Sequence, residues 1–504
     1  MTHIIEPERR IPIIADVDVA VAGGGGAGVG AAVAAARLGA SVMLVDRLGA
    51  LGGCMGPGGW NAGAFSLKNL DFERFREQPY FAFQAPREQI EADAMDVIRR
   101  CGIAGEWMSR VFDMDDDFGC RRNLADVSNR IADVCGRMVD EAGVRLMLDT
   151  TAADVVLEDG KTVCGLIVEN ASGRAAIRAK VVIDATANAS VAQRAGAPLV
   201  ASNWEPSMNI TFGIGGTDDE RFKQFIDGRK EPPADNKWID EVMIPEAGYI
   251  WWRLGAHISR MRPYADLFKK AQEETGYRAV GRVGDVGIIA AVFPGPDGKT
   301  SQDSMFWGRA DIDGKIDTLD GDHMTTVERD ARRYMMDTTR FLRQYVPGFE
   351  NAYLLYLSPY IGTRGGRAIE AERIVNEDDL HAARRFDDVI ARGQDGRYRK
   401  DAPTDVPYRQ LLPRRVENLL AAGVSAHRKP PNLRERTLVI HMGQAAGTAA
   451  ALAAASGVTV REVDLRRLQR ILFEEGVDLG GKDHVQALLA KPAAPLSEHA
   501  KREV

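Results

Sequence analysis

The sequence predicts an α/β fold built on a parallel sheet, and three observations near its start predict it. An apolar run (Val17, Val19, Val21) enters the glycine series Gly23, Gly24, Gly25, Gly26, Ala27, Gly28; an alanine-rich stretch from Ala27 to Leu38 follows; a second apolar run, Val42 to Val45, closes on Asp46. Strand, tight turn, helix and acid-ended strand in that order describe a dinucleotide phosphate site. The spacing of Gly23, Gly25 and Gly28 gives the turn, leaves bare backbone for a pyrophosphate, and packs the helix closely on the strand. The helix amides and dipole, from Ala27 onward, point at the phosphates, and Asp46 accepts from the ribose hydroxyls. An acid there favours an unphosphorylated adenosine ribose, so FAD or NAD over NADP.

Composition narrows the class. The chain has 504 residues, 45% hydrophobic and 27% charged, enough for a large core and two or three domains. A net charge of −7 without a long basic run argues against a nucleic-acid partner. The first ten residues mix Glu6, Glu8, Arg9 and Arg10, unlike a secretory signal, and no apolar run is read as a membrane span, so a soluble cytoplasmic protein is expected. Five cysteines (54, 101, 120, 135 and 164) without a C-x-x-C pair imply reduced thiols and no structural metal.

The remaining elements follow in order. Residues 123 to 142 carry Val127, Ile131, Val134 and Met138 at helical spacing. Short strands follow at Val144 to Leu148, Val155 to Leu157 and Val163 to Val168, the last two joined as a hairpin through Asp159 and Gly160. Val181, Val182 and Ile183 read as a parallel strand buried on both faces, ending in the small-residue run Asp184 to Ala189, where a ligand meets bare backbone. From about 200 to 355 the chain is richer in aromatics (Trp204, Trp238, Trp251, Trp252, Tyr264, Phe293, Phe306, Trp307), read as core more than ligand contacts. Asp311 to Asp322 lacks the closing glutamate of a calcium loop and reads as turns. A helix from about Thr325 to Tyr345 leads back. Asn418 to Gly423 reads as a strand and Met442 to Ala454 as an Ala/Gly helix, whose N-terminus would stabilise negative charge on a reduced ligand. From Asp464 on, an amphipathic helix (Leu465, Leu468, Ile471, Leu472) precedes a Pro/Ala/charged tail.

Several segments, in unbroken order over about residues 11 to 475, carry a resemblance: Ile11 to Asp18 before the first strand, Leu51-Gly52-Gly53-Cys54, Ile183 to Ala189, Pro347 to Glu350, Ile361 to Arg367, Asn418 to Gly423, and Gly443 to Gly447. The chain resembles FAD-dependent oxidoreductases of the glutathione-reductase-like class, distantly related to fumarate reductase and succinate dehydrogenase flavoproteins. The resemblance implies a Rossmann-like FAD-binding domain with an inserted α+β substrate (cap) domain. The first FAD-binding part would span 1–200, the cap 201–355, the second FAD-binding part 356–461, and a C-terminal helix and tail 462–504. Expected FAD contacts are Gly23, Gly25, Gly26, Ala27, Gly28, Asp46, Arg47, Gly52, Gly53, Cys54, Ala152, Ala185, Thr186, Gly443, Gln444, Ala445 and Gly447.

Two departures stand out. Where relatives have Ala-Thr-Gly-Asp, this chain has Ala185, Thr186, Ala187, Asn188; where they have Arg-Glu-Thr-Arg-Arg, it has Arg364, Gly365, Gly366, Arg367, Ala368. The second change bears on substrate choice more than on fold.

The resemblance further implies that His427 acts as general acid or base, with His441 as its substitute, and that Arg434, Arg364 and Arg367 hold an anion. No second glycine motif marks a nicotinamide domain, so electrons pass to or from an external acceptor or donor. The favoured reading is hydride transfer between flavin N5 and a small polar organic substrate, carboxylated ones included. The alternatives are a flavin-dependent monooxygenase and a flavoprotein subunit of an electron-transfer assembly. A homo-oligomer is compatible with either.

Overall fold

Strand β1 (Ile13–Ala22) runs into the glycine turn, helix α1 (Gly26–Arg37) leads back, and β2 (Val42–Val45) lies parallel to β1, pairing Val19 with Val42 and Ala22 with Val45. The structure is a computed structural model that describes residues 4, 8–56, 67–75, 92–118, 124–201, 207–218, 221–222, 224–225, 265–276, 286–291, 303–311, 318–363, 366–394, 401–427, 433, 435–493 and 496. All of β2, and β1 from Val19 to Ala22, is buried, as parallel strands covered on both faces must be.

Helices α2 (Ala92–Arg99), α3 (Gly102–Asp113), α4 (Asp115–Phe118) and α5 (Leu124–Glu141) come next. Val127, Ile131, Val134 and Met138 of α5 are buried, which is the face their spacing marked. β3 (Arg145–Met147) extends the sheet beyond β2 in parallel. β4 (Thr151–Glu158), β5 (Thr162–Asn170) and β6 (Gly173–Asp184) then form an antiparallel meander that brings the chain back beside β1. Asp159 and Gly160, in the three-residue loop between the paired residues Glu158 and Thr162, both take positive φ (53° and 76°), a conformation that Asp and Gly tolerate.

A short helix α6 (Ser190–Arg194) and strand β7 (Leu199–Ala201) follow. A second, antiparallel sheet contains β8 (Ser207–Gly215), β9 (Val286–Ala291), β10 (Asp303–Asp311), β11 (Tyr353–Leu357) and β12 (Gly362–Thr363), in the order β11-β8-β10-β9 with β12 also against β8. Between its strands run α7 (Ala265–Thr275) and α8 (Gly321–Tyr345). α8 begins before the expected Thr325 because Asp320 caps it, accepting from the amides of Asp322 and His323. Phe306 and Trp307 lie on β10; Trp204, Trp238, Trp251, Trp252, Tyr264 and Phe293 fall outside the described residues.

β13 (Arg367–Ile369) pairs with β7, and α9 (Glu377–His381) leads to the hairpin β14 (Val389–Gly393) and β15 (Thr404–Pro407). β16 (Leu419–Ala421) returns to the first sheet, parallel to the last residues of β6. The chain closes with α10 (Arg436–Ser456), α11 (Leu465–Glu474) and α12 (Lys482–Leu489). Among the described residues α10 is long and apolar enough to cross a membrane, a run the sequence reading did not anticipate, and 89% of its apolar window is buried inside the protein.

α10 lies tightly on α1 because both present small residues. A Cβ on Gly443 would sit 2.1 Å from the carbonyl oxygen of Ala27, and one on Gly447 would sit 2.0 Å from that of Ala31. The helices touch backbone to backbone, which only glycine allows here.

Candidate cofactor and active site

Each motif glycine has its own physical reason. Gly23 has φ +104°, and a Cβ on it would lie 2.4 Å from the carbonyl oxygen of Ala185. A Cβ on Gly28 would lie 1.6 Å from the carbonyl oxygen of Gly23, so strand and helix meet this closely only without it. Gly25 is different: at φ −74° and ψ −174° it is extended, and a Cβ there would meet only the Cα of Gly53, 3.9 Å away. Neither strain nor packing requires glycine at this position. Its bare face opens onto a cleft.

That cleft, about 440 Å³, crosses the carboxyl ends of β2, β1, β6 and β16, where Asp46, Gly23, Ala185 and Ala422 line it. This is where ligands bind in open α/β sheets, and the volume lies within the roughly 300–1,000 Å³ of small-molecule sites. Of the expected cofactor residues, Gly23, Gly25, Gly26, Ala27, Asp46, Arg47, Gly52, Gly53, Cys54, Ala152, Ala185 and Thr186 line it. On one side Arg194 of α6 adds a cation beside the start of β4, its Nη1 donating to the Ser190 carbonyl at 2.9 Å and its Nε to that of Ala153. At the other side Tyr360, Ile361 and Gly362 come from the second sheet, and Arg436 and Val439 from the first turn of α10.

The floor is electropositive where α1 begins. α1 has neither a side-chain cap nor an acid in its first turn, whereas Asp320, Asn376, Glu435 and Asp464 cap α8, α9, α10 and α11. Its first amides therefore keep their donors for an anion in the cleft. Asp46 is 7% exposed; its Oδ1 accepts from the Leu48 amide at 2.7 Å and its Oδ2 from the Gly24 amide. Burial pushes its carboxyl above the ordinary value, while those two amides pull it back. Each oxygen retains a lone pair for a ribose hydroxyl.

Behind the cleft, fully buried Asp184 organises the loop after β6. Its Oδ1 accepts from the amide and hydroxyl of Thr186 at 3.0 and 2.7 Å and from the Ser425 hydroxyl at 3.1 Å; its Oδ2 accepts from the amides of Val191 and Ala192 at 3.0 and 2.9 Å. Ala187 is held at φ +67°, and Ala189 at φ +53°. Asn188 turns inward, its side-chain oxygen 3.1 Å from the Thr186 hydroxyl.

The other expected residues lie elsewhere. α10 starts at Arg436, not Met442, and at ~1.5 Å per residue this carries its glycine turn well past the cleft. Gly443, Ala445 and Gly447 are buried in packing. Gln444 bonds instead to α3, accepting from the Ile103 amide at 3.0 Å, and donates to Glu475 at 2.6 Å. Gly28 is likewise a packing residue. His427 is 2% exposed, does not line the cleft, and accepts from the Leu433 amide through Nε2 at 3.1 Å, so it closes its own loop. Arg367 donates through Nε to the Asn188 carbonyl at 2.9 Å and steadies the Asp184 loop. Arg364 and Arg434 fall outside the described residues. His441 bonds through Nε2 to the Cys101 carbonyl at 3.2 Å, and burial pushes its pKa down to about 4.

Sequence reasoning passed over Asp184, Arg194 and Glu435. Asp184 had a visible signal, a lone acid ending the apolar run Val181 to Ile183; for the other two, the partners are distant in sequence.

A glycine turn without a cap, a buried acid at the next strand end and a cleft across the sheet define a dinucleotide-binding redox fold. The chain belongs to the FAD dependent oxidoreductase family, whose model matches residues 18–472. It is an oxidoreductase, and FAD is its cofactor. Gly25 provides the cradle the cofactor needs, a backbone surface that a Cβ would fill.

No match is found among the curated proteins. Among solved structures the chain is similar to a geranylgeranyl bacteriochlorophyll reductase-like protein from Thermoplasma acidophilum, at 12% identity over 97% of this chain and 91% of that one, with a TM-score of 0.42. It is similar to p-nitrophenol 4-monooxygenase PnpA from Pseudomonas putida DLL-E4, at 12% identity over 97% and 89%, TM-score 0.37. The flavin-dependent brominase Bmp2 gives 14% identity over 91% and 83%, TM-score 0.39.

Proposed function

We propose that the chain moves a hydride between flavin N5 and a small polar organic substrate, in an FAD domain of the glutathione-reductase type. In this reading the FAD domain spans 1–200 and 356–461, the inserted cap 201–355, and the C-terminal helices and tail 462–504. One observation carries it: Tyr360 to Gly362, continuous with the antiparallel sheet, close the same cleft that Asp46 and α1 open. A cofactor anchored by its adenosine end at Asp46 would then present its reactive end to a roof from a separate sheet. When bound, FAD supplies the two-electron carrier. The protein's part is to bind it through the α1 amides and Asp46, to orient it through the Asp184 loop, and to enclose it.

Flavin-dependent monooxygenation is the second reading, and one observation favours it. His427, the acid–base group of the hydride reading, is engaged by Leu433, and among the described residues no histidine lines the cleft. Anaerobic mixing with a metabolite library separates the two. Bleaching of the yellow protein by a substrate under nitrogen supports hydride transfer; bleaching that needs an added reductant, followed by dioxygen-derived oxygen in the product, supports monooxygenation. Turnover only with a partner protein would point to an electron-transfer subunit. Colourless protein that takes up no FAD would refute all three.

A further inference from the structure

The two helices that begin at the cleft are capped differently. α1 begins bare, but α10 does not, although Arg436 and Val439 of its first turn line the cleft where β16 ends. Glu435, 8% exposed, folds back over the helix. Its Oε2 accepts from the amides of Thr437 at 3.0 Å and Leu438 at 3.5 Å and from Asn69 Nδ2 at 2.9 Å. Asn69 is itself buried and fixed, its Oδ1 accepting from the Gln394 amide at 3.2 Å. The carboxylate is therefore held in place from the helix and from the loop opposite.

A bare helix N-terminus carries about half a positive charge and would favour electron gain beside it. A carboxylate set on that terminus opposes both that half charge and the Arg436 guanidinium lining the cleft beside it, in a buried setting where screening is weak. The amides of Thr437 and Leu438, which would favour electron gain, bind Glu435 instead.

We propose that Glu435 is a positioning residue that holds the flavin reduction potential below the value a neutral cap would give. The proposal rests on FAD occupying this cleft with its isoalloxazine toward α10. Reduction by two electrons with one proton leaves the flavin one unit more negative, whereas two electrons with two protons leave its charge unchanged. A fixed carboxylate opposes the first outcome and favours the second.

The test uses the FAD-loaded protein equilibrated with redox dyes across pH. Glu435→Gln keeps an acceptor for Thr437 and Asn69 but removes the charge; Glu435→Asp keeps the charge. The Gln variant should show a higher midpoint potential with a weaker pH dependence, and an unfolding midpoint close to that of wild type. The Asp variant should stay near the wild-type potential. With FAD bound, a Gln variant at or below the wild-type potential, or an Asp variant that shifts as far as the Gln variant, would overturn the proposal. Wild-type protein that binds no FAD would instead refute the cofactor assignment, so the two failures are distinguishable.

Discussion

Replacing Gly25 by alanine separates what the fold needs from what the cofactor needs. The backbone at Gly25 is extended, and the new methyl would touch only the Gly53 Cα at 3.9 Å, an ordinary van der Waals contact. Gly→Ala at a compatible conformation stabilises by about 0.4–1 kcal/mol, through the unfolded chain, so apo Gly25→Ala should be as stable as wild type or slightly more. The methyl would, however, occupy cleft floor beside the uncapped amides of α1. Losing one hydrogen bond to a charged phosphate costs about 1.5–3 kcal/mol, a roughly 10- to 150-fold weaker Kd. Urea unfolding of the apoprotein and titration with FAD, followed by quenching of its fluorescence, read the two quantities separately. Gly28→Ala is the control, since its Cβ would lie 1.6 Å from the Gly23 carbonyl oxygen and should disrupt the turn itself. An unfolded Gly25→Ala apoprotein would refute the packing argument, and unchanged FAD affinity would refute the phosphate site.

Two further predictions concern stability. Ala187 sits at φ +67°, a conformation that costs an L-residue about 1–2 kcal/mol, against which glycine loses about 0.5–1 kcal/mol of extra chain entropy. Ala187→Gly should therefore raise apo stability by up to about 1.5 kcal/mol in urea unfolding and widen the cleft; a loss of stability would show that the methyl makes a compensating contact. His441 has a folded pKa near 4, below its ordinary value of 6.5, so its contribution is complete above pH 6.5 and lost as pH falls through 4. That window is worth roughly 3 kcal/mol, and His441→Gln, which can still donate to Cys101, should lose correspondingly less stability than wild type between pH 7 and 4; parallel losses would refute it.

The parts of the fold legible in the sequence are those whose signal is local. β1, α1 and β2 follow from one glycine series and one acid, α5 from a four-residue apolar spacing, and the Asp159–Gly160 hairpin from turn chemistry. Boundaries failed where a distant partner decides them. α10 begins six residues before the expected Met442 because Glu435 can cap it, and Glu435 is held by Asn69, 366 positions away in the chain. α12 went unread because its short apolar pattern resembles a tail; buried Val485 and Leu488 fix it.

The candidate site divides in the same way. Residues that bind phosphate and ribose act through backbone shape and one acid, and such features are written in consecutive residues, so the cleft-lining positions from Gly23 to Cys54 could be named in advance. Residues meant for chemistry were named by type and place in a loop, and type does not say where a side chain is already engaged. His427 shows the difference: a loop histidine suits proton transfer, but the Leu433 amide claims its Nε2. Gly443 and Gly447 show it again, since a bare backbone serves close approach to a cofactor and close approach to a helix equally well, and here Ala27 and Ala31 take that space. Small residues announce that something comes near; only the packing says what. Gly25 differs from the other motif glycines because its small size answers to no close neighbour among the described residues while its bare face lines the cleft, which leaves a ligand as the reason for it.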